Sequence, residues 1–246
     1  MRQDIEVTLG ALKANHFDAR FAESVTEAKT MMLEMIPVRS RVGVGDSATI
    51  RQIGVLAELA RRGSEVVNPF TSELTQDMVR DPTKHKLFLE LARKTLTTDV
   101  FLAGSNAVTQ DGKIVSIDRS GNRVAGIIYG APRVILAIGR NKIVKDVDDA
   151  IYRIKNVIAP AHAQRKGRKT PCAVTGKCNE CDSPDRLCSV TIILEKKPLY
   201  TDLAVILINE DLGLGWDPTW DEKHIGKIRS SYYENTWAYI VPNQKD

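Results

Sequence analysis

Leu203-Ala-Val-Ile-Leu-Ile208 is an unbroken apolar run, and Val134-Ile-Leu-Ala-Ile138 and Asp99-Val-Phe-Leu-Ala103 have the same character upstream. Such runs are what strands buried on both faces look like. Val190-Thr-Ile-Ile-Leu194 reads as another. Stretches with helical spacing separate them: residues 1–14, 24–36, 47–63, 72–95, 120–130 and 146–157. Two shorter strands, Arg41-Val-Gly-Val-Gly45 and Glu65-Val-Val-Asn68, fit into the same alternation. The pattern predicts an α/β fold, a mainly parallel sheet with helices on both faces. Residues 1–246 form one domain in this reading, with a helical segment over 1–37 and a cysteine-rich insertion over 160–190.

Local signals fix some boundaries. Ser24 stands three residues before Glu27 in the form of a capping box, and Pro37 ends the helix that starts there. Thr71 or Ser72 caps the helix over 72–95. Asp111-Gly112 between Val108 and Ile114-Val115 predicts a hairpin turn.

All four cysteines lie in Cys172-Ala-Val-Thr-Gly-Lys-Cys178-Asn-Glu-Cys181-Asp-Ser-Pro-Asp-Arg-Leu-Cys188, a C-x5-C-x2-C-x6-C arrangement. A C-x2-C turn sets two sulfurs side by side, and the flanking arms bring in the others, so four thiolates can meet one centre. Gly176 and Pro184 permit the turns, and Lys177 and Arg186 offset thiolate charge. Disulfides are the alternative. Structural zinc usually uses two paired motifs, whereas compact and uneven spacing leans toward a [4Fe-4S] cluster; zinc stays open. His162, upstream, reads as exposed rather than as a fifth ligand.

Charge and composition exclude several classes. The chain of 246 residues has 35 basic and 31 acidic residues, a formal charge of +4 that is too mild for a nucleic-acid binder. The basic run Arg165-Lys-Gly-Arg168-Lys169 reads as a solvated loop, or else as a shield for an anionic cluster or a site for an acidic partner. No apolar stretch is long enough to span a bilayer, and the first residues lack the apolar core of a signal peptide, so a cytoplasmic protein is expected. Tyr232, Tyr233, Trp237 and Tyr239 read as core or as an interface, and the oligomeric state is left open.

Ligands of such sheets gather at the carboxyl ends of the strands. Three polar loops fall there. Gly43-Val-Gly45-Asp46-Ser47-Ala-Thr49 brings a strand into a helix without being a P-loop or a dinucleotide fingerprint. Gly104-Ser105-Asn106 follows a strand, and Gly121-Asn122-Arg123 opens a helix, with Arg123 a candidate clamp for a carboxylate or phosphate. Gly139-Arg140-Asn141-Lys142 adds positive charge. Gly43, Gly45, Asp46, Ser47, Thr49, Gly104, Asn106, Asn122, Arg123 and Lys142 are therefore the expected contacts of a small anionic metabolite.

Val42-Gly-Val-Gly-Asp-Ser-Ala-Thr-Ile-Arg-Gln-Ile-Gly54, the segment Thr98 to Asp118, Gly121-Asn-Arg123 and Gly139-Arg-Asn-Lys-Ile143 together resemble the LUD-domain family, the lactate-utilisation proteins. The resemblance covers roughly residues 10–215 and extends to a branch in which a four-cysteine knuckle precedes a Thr-Asp-Leu-Ala-Val-Ile-Leu-Ile-Asn-Glu-Asp-Leu-Gly strand, here Thr201–Gly213. It implies the fold of the ribose-5-phosphate isomerase, glucosamine-phosphate deaminase and coenzyme A transferase group. It also implies oxidation of lactate or a related organic acid, with iron–sulfur or flavin oxidoreductase subunits as partners. Two departures narrow the chemistry. Asn106 stands where isomerases of the wider group have an aspartate, and an amide is no general base. The three loops also lack the glutamate that coenzyme A transferases use as nucleophile. A second function is consistent with the same loops: an enzyme or sensor for a phosphorylated sugar, nucleotide or acyl carrier, with the knuckle structural.

Overall fold

The computed structural model describes residues 2–237. Its main sheet holds six strands, all parallel: β1 (Asp18–Ala22), β2 (Arg41–Val44), β3 (Glu65–Val67), β4 (Val100–Ala103), β7 (Arg133–Gly139) and β10 (Asp202–Ile208), in the order β1-β10-β7-β4-β2-β3. A second sheet, β8-β5-β6-β9, joins β5 (Ala107–Thr109), β6 (Ile114–Asp118), β8 (Ile143–Val144) and β9 (Val190–Leu194). The Asp111-Gly112 turn joins β5 to β6, with Gly112 at φ 80° as a left-handed turn position needs.

Alternate residues of the central strands serve opposite faces. Leu102, Ile135, Ala137, Ala204 and Ile206 meet α2 (Val25–Met35), α3 (Ala48–Ile53) and α4 (Val55–Arg61). Phe101, Val134, Leu136, Leu203 and Val205 meet Ile5 and Leu12 of α1 (Gln3–Ala14) and Ile127 of α7 (Asn122–Tyr129). Burial of Leu136, Ile206 and their neighbours on both faces is why those runs show no polar alternation. A third core joins the small sheet to α8 (Val147–Arg153) and α11 (Glu222–Glu234).

Several expectations need correction. Val190–Leu194 is not a doubly buried strand of the parallel sheet. It is an edge strand, antiparallel to β6, with Thr191 and Ile193 exposed and Leu194 buried. The segment 1–37 is not wholly helical, because β1 lies inside it and pairs with β10. The helix over 47–63 breaks at Gly54, whose φ of 66° ends α3 and starts α4. The helix over 72–95 divides into α5 (Ser72–Asp77) and α6 (Pro82–Lys94). Asp81 caps the second piece, and Pro82 sits at its first position, where no N–H is needed. Thr71 caps α5, and the Ser24 hydroxyl accepts the Glu27 N–H at 3.2 Å as a capping box requires. Beyond 157 the helix continues through a π turn at Ile154–Ile158 into α9 (Ala159–Arg165), while α10 (Pro171–Thr175) lies within the cysteine segment.

A candidate site at the strand ends

The chain leaves β2 toward β3 on one side, whereas β4, on the other side of β2, continues toward the small sheet and β7. A crevice opens at such a point of reversal, outside the carboxyl ends of the strands. A cavity of about 620 Å³ lies there. It brings together Asp46, Ser47 and Thr49 after β2, Gly104 and Asn106 after β4, Asn122 and Arg123 at the start of α7, and Lys142 after β7.

The local structure explains how each is held. Ser47 is the N-cap of α3, its hydroxyl accepting the Ile50 N–H at 3.3 Å. Asp46 pairs with Arg51 at 2.8 Å, and Lys166 stands 3.9 Å away. Burial alone would raise the Asp46 carboxyl, but Lys166 and Arg51 hold it well below the usual carboxylate range. Its negative charge is therefore neutralised inside the protein.

Arg123 is not a free clamp. Its guanidinium donates to the carbonyls of Gly104 at 3.0 Å and Ile117 at 2.9 Å and to Asn106 Oδ1 at 3.0 Å, with Asp118 3.9 Å from Nε. The side chain is 12% exposed. The guanidinium thereby joins a carbonyl at the end of β4 to one in β6, so the arginine serves as a pin between the two sheets. Asn106 changes role with it. Its Oδ1 accepts from Arg123 and from the Ile117 N–H at 2.9 Å, so the orienting acceptor expected from the sequence is occupied. Its amide NH2 has no partner among the described residues and offers a donor to the cavity.

Lys142 is buried, with Nζ donating to the Thr49 hydroxyl at 3.1 Å and the Ser105 carbonyl at 3.0 Å. Burial, reinforced by the charge of Arg123, lowers it to about 7. Arg140 is tied to Asp211 at 2.9 Å and contributes no free charge. Gly43 does not border the cavity: a Cβ there would stand 2.6 Å from Thr98 Oγ1, so this glycine serves strand packing. Gly45 lies behind the stem of Arg123, where a Cβ would stand 3.1 Å from Cγ.

Some of the lining carried no sequence signal. His162 is half-buried and borders the cavity, hydrogen-bonded through Nδ1 to the Tyr232 hydroxyl; the reading of an exposed histidine is corrected. Burial, with Lys166 nearby, lowers its pKa to about 4. The basic run is not a solvated loop throughout, since Lys166 is buried and Arg168 lies 3.6 Å from Asp185 of the cysteine segment. Phe70, Met78, Val79 and Phe88 bring an apolar wall from the region of α5 and α6. Periodicity alone could not distinguish these side chains from core. Tyr232 belongs to the third core, while Tyr239 lies outside the described residues.

The cysteines gather around a small apolar hollow. Cys172, Cys178, Cys181 and Cys188 all line it, each half-buried and free of disulfides. Four thiols suit a thiolate-ligated centre by donor type, although among the described residues no three of His, Cys, Asp or Glu converge on the position of a bare metal ion. Burial, with Cys178 and Cys172 close by, pushes the Cys188 thiol up to about 11. Arg186 lines the hollow, donating to the carbonyls of Cys181 at 2.5 Å and Cys188 at 3.0 Å. The second cation there is Lys155 rather than the exposed Lys177. Ala159, Leu187 and Cys188 border both this hollow and the strand-end cavity.

A parallel sheet covered on both faces, with a polar crevice where its strands end, defines an α/β protein of the strand-end-crevice class. The LUD domain matches residues 5–208, and the chain belongs to the LUD-domain family, which is associated with lactate utilisation. It is also similar to the crystal structure of a DUF162 family protein from Deinococcus radiodurans at 15% identity, with 85% of this chain and 99% of that chain covered and a TM-score of 0.45. No curated protein matches it. No helix among the described residues is long and apolar enough to cross a membrane.

Proposed function

We propose that this protein binds a small organic acid, a 2-hydroxy or 2-oxo acid, at the strand ends and takes part in oxidation of lactate or a related acid as an electron-transfer or accessory component. The observation that carries the reading is the shared wall of Ala159, Leu187 and Cys188 between the cavity and the cysteine-lined hollow. A shared wall brings a ligand site and a thiol cluster close enough for electron exchange between them. Cys172, Cys178, Cys181 and Cys188 would hold a [4Fe-4S] cluster, which supplies one-electron transfer when bound. Oxidation of a 2-hydroxy acid releases two electrons and two protons, so the electrons pass onward to a flavin or iron–sulfur oxidoreductase subunit in the cytoplasm. The chain's own residues bind and orient: the Asn106 NH2 donates to the acid, and the buried Lys142 meets its polar end. Protein purified anaerobically should be brown, with broad visible absorption that dithionite bleaches. Colourless protein holding stoichiometric zinc would reject the redox reading.

A second reading is supported by the size of the cavity. About 620 Å³ is typical of sites for ligands much larger than lactate. The wall of Phe70, Met78, Val79 and Phe88 also suits a ligand with an apolar portion. A phosphorylated sugar, a nucleotide or an acyl carrier would fit this space, with zinc in the knuckle. Thermal shift separates the readings, because a ligand that binds only the folded state raises the melting temperature. Stabilisation by phosphorylated compounds but not by lactate or pyruvate favours the second.

A further inference from the structure

Lys142 is 5% exposed, yet no carboxylate pairs with it among the described residues. Its Nζ meets two acceptors, the Thr49 hydroxyl and the Ser105 carbonyl. A neutral amine has two hydrogens and one lone pair, so these acceptors use both hydrogens and leave the lone pair as the remaining direction. An ammonium at this position would carry a third hydrogen with no protein acceptor among the described residues. Gly213 keeps the space beside Nζ open, since a Cβ there would stand 2.7 Å from the nitrogen and 2.6 Å from Thr49 Oγ1. The side chain borders the strand-end cavity. Burial and the neighbouring Arg123 lower its pKa to about 7, which leaves a large share of the amine unprotonated at neutral pH.

We propose that Lys142 is a carbonyl-reactive amine that forms an imine with a 2-oxo acid bound in this cavity. The proposal rests on the reading of the cavity as an organic-acid site. The Nζ lone pair adds to C2 of the acid, and the carbonyl π pair moves to oxygen to give a carbinolamine. That oxygen then leaves as water with two protons, both originally on the amine, and the C=N bond forms. No electrons enter or leave, so no oxidant is needed. Asn106 follows Ser105, the residue that holds Nζ, and its unpartnered NH2 is the donor for the acid's carboxylate.

The full-length protein is incubated with pyruvate or phenylpyruvate, reduced with sodium cyanoborohydride, and its mass measured whole and after proteolysis. The expected result is a gain equal to the mass of the acid less one oxygen atom, mapped to Lys142. The gain should be absent with lactate and lost in Lys142→Arg. Mapping in the unaltered chain keeps the test valid if that variant folds poorly. Adducts on exposed lysines such as Lys86 and Lys145 without one at Lys142, or no adduct at all, overturn the proposal. Melting temperatures with the same acids tell the two readings apart. A rise without an adduct keeps the organic-acid site and removes the imine, whereas neither rise nor adduct removes both.

Discussion

Arg123 is the residue whose role changes most once its surroundings are known. A Gly-Asn-Arg sequence opening a helix beside strand ends invites an anion-clamp reading, yet the guanidinium bonds Gly104, Ile117 and Asn106. Arg123→Ala removes a donor from two carbonyls and from the Asn106 amide oxygen, which keeps the Ile117 N–H, so it should destabilise folding by about 2–4 kcal/mol. Urea unfolding measures this. A change below about 0.5 kcal/mol, the size of an ordinary surface substitution, would show that the guanidinium is free for ligand. His162 makes a second residue-scale prediction. Its folded value is about 4 against an ordinary 6.5, so between those values the unfolded chain binds more protons than the folded one. Stability therefore rises with pH through this window and falls on acidification. Thermal melts from about pH 4 to 6.5 should show a shallower slope for His162→Gln than for the unaltered chain. An identical slope would mean that the imidazole titrates as if in water.

Among the elements, the departures from simple periodicity have local causes. Gly54 and Asp81-Pro82 each interrupt a helical pattern that apolar spacing alone would carry through. Pro160 cannot return an N–H to the turn before it, and the helix there opens into a π turn over Ile154–Ile158. Gly43 shows how a glycine motif can serve packing. It lies in β2 against Thr95 and Thr98, and its N–H donates to the Thr98 hydroxyl oxygen at 3.1 Å. Gly43→Ala should cost about 1–3 kcal/mol through overpacking against backbone. Isothermal titration of the folded variant should show ligand affinity changed little. A stable Gly43→Ala protein with weakened binding would return Gly43 to the ligand site.

For the whole molecule, the cysteine segment lies between α9 and β9, outside the six-stranded sheet. If the four cysteines hold the proposed centre, the double variant Cys178→Ser, Cys181→Ser should bind no metal and loosen residues 160–190 while the parallel sheet survives. Inductively coupled plasma metal analysis and hydrogen exchange measure the two effects. Full metal content in the double variant would sink the four-cysteine centre. Asp185 ties this segment to the rest of the molecule through Arg119 at 3.5 Å, so loosening should spread to the cavity rim before it reaches the core.

The unbroken runs at Val134 and Leu203 determined the parallel sheet from sequence alone, because residues buried on both faces must be apolar at every position. Polar residues after β2 and β4, with Lys142 after β7, pointed to the edge where the cavity lies, since parallel strands present all their carboxyl ends at one edge. Tertiary structure decided everything that depends on partners distant in the chain. Arg123 and Lys142 are both basic residues near the strand ends. One is held by carbonyls of two sheets, whereas the other is buried without a carboxylate, and no local pattern encodes that difference. Val190–Leu194 has the composition of a core strand but lies at an edge, because only its pairing with β6 fixes which face meets solvent. His162 and Lys166 likewise reach the cavity because the helix bearing them packs across it, a placement set by the third core. Burial and charge pairing are properties of the assembled volume, and they decide which of the polar groups read from the sequence remain available to a ligand.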